Sequence, residues 1–85
     1  MRLLETSKFQ KLRKKLKDEE ERDSLKNAVL QVLEDPEAGK KLKGEFRDLR
    51  VFRFAVRGQA RRLIYRYDKD AIVLFSFGPR QGIYK

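Results

Sequence analysis

The chain has 85 residues and carries 22 Lys and Arg against 13 Asp and Glu, a formal net charge of +9. This length excludes two ordinary domains and a deep, enclosed cofactor pocket, so we expect one domain over residues 1–85. Because the sequence contains neither Cys nor His, it excludes a disulfide framework, a zinc ribbon, a thiol nucleophile and a serine triad. We expect no metal, no cofactor, no membrane span and no signal peptide, and hence a cytoplasmic protein.

The basic residues change type along the chain. Residues 1–44 hold nine Lys and three Arg against nine acidic residues, whereas residues 45–85 hold eight Arg and two Lys against four. Arg presents a planar fork of donors that matches phosphate, whereas Lys is a flexible, strongly hydrated point charge. The excess charge indicates either an anionic partner or a heavily solvated surface, and we expect any anion site in the Arg-rich second half.

Two amphipathic helices are predicted in the first half. Thr6 or Ser7 can cap the first, whose apolar residues recur at spacings of three and four. The acidic run at residues 18–21 suits the start of the second, because it faces the positive end of the helix dipole. The second helix should end at Asp35, since the residue before Pro36 is pushed out of the helical conformation.

Alternation of apolar residues then predicts strands over residues 49–57, 61–67 and 71–77. The first two strands form a hairpin, and a two-residue loop at Gly58-Gln59 would pair residue 53 with residue 64. Residues 36–48 are expected to be a connecting loop, and residues 2–5 a strand at the edge of the sheet. The sequence thus predicts an α+β fold with an N-terminal helical hairpin on one face of a small antiparallel twisted sheet.

The same alternation separates the two faces of the sheet. The helices should cover the face that carries Phe52, Phe54, Leu63 and Tyr65. The opposite face is expected to be basic and open, and three arginines should project from it: Arg53, Arg62 and Arg66.

Such a face suits a phosphodiester. Cleavage of RNA by its 2′-hydroxyl needs a base for that hydroxyl, cations for the charge on phosphorus and an acid for the leaving oxygen. Arg supplies the cations, which leaves Tyr84 and Lys or Arg groups of shifted pKa for the proton transfers. A site of this composition needs its substrate to be positioned by something else.

Four pieces of residues 35–85 occur in a characteristic order and spacing: LKG at 42–44, LRVFRFAVRG at 49–58, RRLIY at 61–65 and GPR-x-x-IY at 78–84. Together with the preceding helical hairpin, they make the whole chain resemble the RelE/ParE superfamily of bacterial and archaeal toxins. The resemblance implies the toxin of a type II toxin-antitoxin pair with a RelE-like α+β fold. RelE-like members are endoribonucleases that cut messenger RNA in the ribosomal A site and so inhibit translation.

The resemblance also implies partners. They are the ribosome with its messenger RNA and a cognate antitoxin, which is acidic, is encoded next to the toxin and blocks its basic site. Operator DNA would be bound only through the antitoxin complex, and no membrane is involved.

The resemblance assigns roles to single residues. Arg62 matches the strand Arg that contacts the scissile phosphate, and Arg80 matches the Arg after the last strand. Tyr84 matches the C-terminal Tyr that orients or activates the nucleophile. These three are the expected catalytic residues.

Further basic residues are expected to bind RNA or phosphate. Arg53 stands where RelE-like chains have the first of two strand Lys residues, whereas the second position is Ala55 here. The general acid and base therefore stay unassigned. The expected phosphate-binding residues are Arg53, Arg57, Arg66 and Lys85.

Two alternatives remain open. A ParE-like toxin would keep the fold and inhibit DNA gyrase without cutting RNA. A non-catalytic basic module would bind nucleic acid with steep salt dependence and form no product. The module ranks last, because the strand aromatics that could stack on bases alternate as core residues.

Overall fold

The computed structural model describes residues 2–79, in which two helices cover one face of a five-stranded sheet. A turn of 3-10 helix, Gly44–Phe46, precedes the third strand. The predicted α+β fold with its N-terminal helical hairpin is confirmed. The elements in chain order are β1 (Arg2–Glu5), α1 (Ser7–Lys15), α2 (Glu19–Glu34), β2 (Lys40–Lys41), β3 (Arg50–Val56), β4 (Gln59–Asp68) and β5 (Ala71–Gly78).

The strands are ordered β1-β5-β4-β3-β2 across the sheet. Neighbouring strands from β5 to β2 are antiparallel. The predicted edge strand at residues 2–5 is present, but it pairs with β5 in parallel. The sheet is therefore mostly antiparallel rather than wholly so, because both helices and the other strands lie between β1 and β5 in the chain and allow a parallel return.

Side-chain caps fix the starts of both helices. The Thr6 hydroxyl accepts a hydrogen bond from the Phe9 N–H at 3.1 Å and donates one to the Phe75 carbonyl at 2.8 Å, which ties α1 to β5. Asp18 caps α2 by accepting from the Glu20 N–H. The last residue of α2 is Glu34, and Asp35 is its C-cap, so the helix stops before Pro36 as predicted. Neither helix of the described chain is both long and apolar enough to span a membrane.

The main core lies between the helices and the sheet. The Phe9 and Phe77 rings meet edge to face with centroids 5.2 Å apart, and Phe52 and Phe54 pack against the core as the alternation predicts. Its buried members are Phe9, Leu25, Ala28, Val32, Leu63, Tyr65, Ile72, Leu74 and Phe77.

The β3–β4 hairpin turns one residue earlier than predicted. Its loop is Arg57-Gly58, with φ of 53° and 79°, as a type I′ turn requires. Arg53 therefore pairs with Arg62 and not with residue 64, so the predicted register was wrong. A positive φ is uncommon for a residue other than Gly, which is why the sequence favoured Gly58-Gln59. The pairing shifts by two residues, so every side chain keeps its predicted face.

The tip of this hairpin is held by the start of α2. The Arg57 guanidinium forms a hydrogen-bonded ion pair with the Asp18 carboxylate and lies 3.4 Å from a carboxylate oxygen of Glu20. This contact holds the pKa of Asp18 below its usual range. A pair of charges thus joins the tight turn to the helix cap.

Residues 36–48 are more structured than the predicted loop. Lys40–Lys41 pairs with β3, and the chain then folds over the face of the sheet that the helices leave uncovered. The expectation of a wholly open basic face was wrong, because apolar side chains in the middle of that face require cover. We call this the second apolar cluster: Leu49, Val51 and Ile64, with Leu42, Phe46 and Phe75 packed against them.

The Tyr65 hydroxyl holds the start of this segment. It donates to the Pro36 carbonyl at 2.7 Å and accepts from the Gly39 N–H at 2.8 Å, and burial raises the pKa of the phenol. The Arg50 guanidinium donates to the Gly39 carbonyl at 2.9 Å. A Cβ at Gly39 would lie 2.5 Å from the Tyr65 oxygen, so only Gly allows this approach.

Removal of the Tyr65 hydroxyl should destabilise the protein. Tyr65→Phe leaves the buried Gly39 N–H without its acceptor, and we expect a loss of about 1–3 kcal/mol in the free energy of unfolding. Tyr67→Phe is the control, because the Tyr67 hydroxyl forms no hydrogen bond within residues 2–79. Urea unfolding measures both variants, and equal losses would contradict the role given to the Tyr65 hydroxyl.

The contribution of the Asp18–Arg57 ion pair to stability should depend on pH, and comparison of wild type with Asp18→Asn should show it. Asn retains the capping oxygen and removes the charge. Because the pKa of Asp18 is lowered in the folded state, the stabilisation is complete at neutral pH and is lost as the pH falls from about 4 through the folded-state value. The difference in Tm between wild type and Asp18→Asn should therefore shrink toward zero at about pH 2.

Glu34→Gln is the matched control for this measurement, because it also removes one negative charge from α2. Glu34 forms no salt bridge in the part of the chain that the structure describes. A Tm difference for Asp18→Asn that stays constant with pH, or that Glu34→Gln reproduces, would argue against the ion pair.

Candidate functional site

Two arginines lie side by side on the face away from the helices. Arg53 in β3 is directly opposite Arg62 in β4, and β-carbons of directly opposite residues are about 4.5–5.5 Å apart. Arg53 is exposed and Arg62 is half-buried. Arg53 forms no salt bridge within residues 2–79. Because like charges in this arrangement repel, the pair favours an anion bound next to both guanidinium groups.

The chain leaves the sheet beside this pair. Arg62 is paired on its other side with Gly78, the last residue of β5. The segment that follows carries three of the residues predicted from the sequence, and all of them lie outside the described residues: Arg80, Tyr84 and Lys85. Their roles stay predictions, but β5 ends next to Arg62.

Lys40 adds a cation that the sequence analysis missed. Lys40, in β2, lies opposite Val51 of β3, so its side chain is on the same face of the sheet as that of Arg53. Lys40 and Arg53 line a shallow groove of about 280 Å³. A strand of two residues is too short to show alternation of apolar and polar residues. The only indication of a basic site here was the pair of Lys residues at 40 and 41. We call Lys40, Arg53 and Arg62 the Arg62 region.

Two other arginines of the hairpin lie close to carboxylates of α2. Arg57 forms the ion pairs described above with Asp18 and Glu20. Arg61 lies 3.7 Å from the Glu21 carboxylate. The contact with Asp18 raises the pKa of Arg57 above its already high value. The predicted phosphate-binding role of Arg57 stays a prediction, and its guanidinium is engaged by α2 in this structure.

Arg66 is separate from the Arg62 region. It shares the uncovered face, but it lies four positions farther along β4 than Arg62, a distance of about 13 Å. The second apolar cluster, through Ile64, occupies the space between them. The structure therefore brings Arg53 and Arg62 together, as the sequence predicts, and does not bring Arg66 to the same point.

The described part of the site can bind and stabilise negative charge. Guanidinium and ammonium groups suit a phosphodiester, and no cluster of residues 2–79 has the side chains to hold a metal ion. Tyr65 and Tyr67 lie on the helix-covered face, so neither reaches the Arg62 region. The geometry supports phosphate binding.

Comparison with known proteins agrees with this fold. Residues 3–85 match the family described as ParE-like toxin of type II bacterial toxin-antitoxin system. A chain of the intact E. coli RelBE toxin-antitoxin complex is 27% identical, with a TM-score of 0.73 over 94% of this chain and 96% of that one. The isolated E. coli RelE toxin is 28% identical, with a TM-score of 0.72 over 98% and 89% of the two chains.

A third solved structure, of protein HP0894 from Helicobacter pylori, is 22% identical over 92% of each chain with a TM-score of 0.52, and supports the fold alone. No curated protein matches the sequence. The family match covers the helices, the sheet and the C-terminal segment. The chain therefore belongs to the ParE-like toxins of type II bacterial toxin-antitoxin systems, and its structure is RelE-like.

Proposed function

We propose that this toxin is a ribosome-dependent endoribonuclease that cleaves messenger RNA in the A site by attack of the 2′-hydroxyl, and so inhibits translation. The observation that carries the proposal is the direct pairing of Arg53 with Arg62 beside the end of β5. The likeness to E. coli RelE over nearly the whole chain supports it.

In this proposal the Arg62 region binds the scissile phosphate. Arg53 and Arg62 stabilise the charge that develops on phosphorus, as preorganised cations do in other phosphoryl sites. Arg80 would add a third guanidinium, and Tyr84 would orient or activate the 2′-hydroxyl. The ribosome supplies the alignment of nucleophile and phosphate that a small open face cannot impose by itself.

The RNA target is favoured over gyrase. The solved structures that match at 27–28% identity are of RelE and of its complex. Cleavage is also favoured over simple nucleic-acid binding, because Phe52, Phe54 and Tyr65 pack in or against the main core and are not available to stack on bases.

Loss of either strand arginine should slow cleavage. We expect Arg62→Ala to lower the rate of messenger cleavage on programmed ribosomes by about 10²-fold or more, the usual effect of removing one group that stabilises transition-state charge. Arg53→Ala should also slow cleavage, and its exposed position argues against a folding defect as the cause. Primer extension on the messenger measures the product.

Arg22→Ala is the matched control, because Arg22 is exposed on α2, in the layer that covers the other face of the sheet. A supercoiling assay with gyrase runs in parallel. Intact messenger at stoichiometric toxin would refute the proposal, as would full cleavage by both Arg62→Ala and Arg53→Ala. Gyrase inhibition with intact messenger would establish the ParE-like alternative.

We also propose a cognate antitoxin whose acidic, amphipathic segment lies in the groove beside β1. This groove of about 600 Å³ runs between β1, α1 and α2, and Leu3 on its wall is 43% exposed. Apolar walls with cationic residues at the rim complement a segment that is both apolar and acidic. Four basic residues line it, Arg13, Lys14, Arg22 and Lys26, against two acidic ones, Glu5 and Asp23, of which Glu5 pairs with Arg13.

Substitution in this groove should weaken the antitoxin complex. We expect Leu3→Ser to raise the Kd for the acidic protein encoded by the adjacent gene by roughly tenfold, or about 1.4 kcal/mol. Leu30→Ser is the control, because Leu30 is 48% exposed and lies on α2 away from the groove. Titration calorimetry measures both. The groove assignment fails if the two variants bind alike, and the partner assignment fails if wild type forms no complex.

A further inference from the structure

A second basic groove lies at the far end of β4 from the Arg62 region. It has a volume of about 380 Å³ and opens between β3, β4 and the segment that covers the second apolar cluster. We call it the Arg66 groove. Its lining residues are Lys41, Arg47, Asp48, Arg50, Arg66, Tyr67 and Asp68.

Positive charge dominates the Arg66 groove, which four cations and two carboxylates line. Lys41, Arg47 and Arg66 are exposed, and none of them is in a salt bridge within residues 2–79. Arg50 is held in one orientation by the Gly39 carbonyl, so its charge is fixed at the wall. The groove thus differs from the hairpin tip, where α2 carboxylates lie against the arginines, and it favours an anion from outside the chain.

The distance between the two basic regions matches a nucleic-acid strand. Arg62 and Arg66 project from the same face about 13 Å apart along β4. Phosphates of one strand of B-form DNA follow one another at about 3.4 Å along the helix axis, so positions about 13 Å apart contact different phosphates of one strand. Phe46 and Phe75, both half-buried, pack against the second apolar cluster, whose Ile64 lies between Arg62 and Arg66 on β4.

We infer that the Arg66 groove binds a second RNA phosphodiester while the Arg62 region holds the scissile one. This inference rests on the proposed function for the identity of the first phosphate. Arg47 and Arg66 offer guanidinium forks for bidentate contact with phosphate oxygens, and Lys41 and Arg50 raise the local potential. The phosphate comes either from the same messenger strand or from ribosomal RNA, and both sources present the same chemistry.

Equilibrium binding to short RNAs tests this inference without any need for cleavage. The probes are an octanucleotide and a dinucleotide, both with 2′-O-methyl groups that block attack, and ribosomes without messenger. The test variant is Arg47→Gln/Arg66→Gln. The control is Lys11→Gln/Lys17→Gln, which also removes two positive charges from exposed positions, one on α1 and one just after it.

For a messenger source, the test variant should bind the octanucleotide more weakly. The slope of log K against log salt should then fall by about 0.7 for each phosphate that the variant no longer binds. The dinucleotide cannot reach both regions, so its affinity should not change. For a ribosomal source, binding to empty ribosomes should weaken while the octanucleotide is unaffected. In either case the control variant binds as wild type does.

The inference is overturned if the test variant binds the octanucleotide and the ribosome as tightly as the control does, or if it weakens only the complex with the antitoxin. The outcome is separable from that of the proposed function. If cleavage requires Arg62 but neither Arg47 nor Arg66, only the inference about the Arg66 groove is refuted. Absence of cleavage by the wild type removes the nuclease proposal, and the binding measurements still decide whether the groove contacts RNA.

Discussion

The hydroxyl of one buried tyrosine determines how the two faces of the sheet are joined. Tyr65 belongs to the main core on the helix side, yet its oxygen holds the Pro36 carbonyl and the Gly39 N–H, where the chain leaves α2. This anchor sets β2 beside β3 and directs the following segment over the opposite face, where that segment covers the second apolar cluster.

The segment over the second apolar cluster determines where cations remain exposed on the face away from the helices. A bare sheet would present one continuous basic surface on this face, whereas the covered centre leaves cations at its two ends, Lys40 with Arg53 and Arg62 at one and Arg66 at the other. On the helix side, by contrast, the arginine charges are balanced within the chain, because Arg57 and Arg61 lie against the carboxylates at the start of α2. Arginines of the same hairpin thus have different environments according to the face from which they project.

Face assignment was predictable because it depends only on parity. The register error at the β3–β4 turn moved every pair by two residues, and Arg53 and Arg62 still share a face. The turn itself was not predictable, since it needs a non-Gly residue at positive φ whose side chain a distant helix cap holds. Lys40 was missed for a related reason: its strand has two residues, and its position follows from Tyr65 and Gly39, which lie far apart in sequence.

The composition of the Arg62 region limits what it can do chemically. Guanidinium groups act as fixed positive charges and hydrogen-bond donors, so Arg53 and Arg62 suit the stabilisation of charge on a phosphate rather than the role of a base. A nuclease with such a face gains most from accurate alignment of the RNA, and one phosphate contact fixes a point but not a direction. A second contact about 13 Å away along β4 fixes the path of the strand as well. Two basic regions held apart by an apolar centre therefore suit the nuclease that we propose, for which the ribosome would supply the remaining alignment.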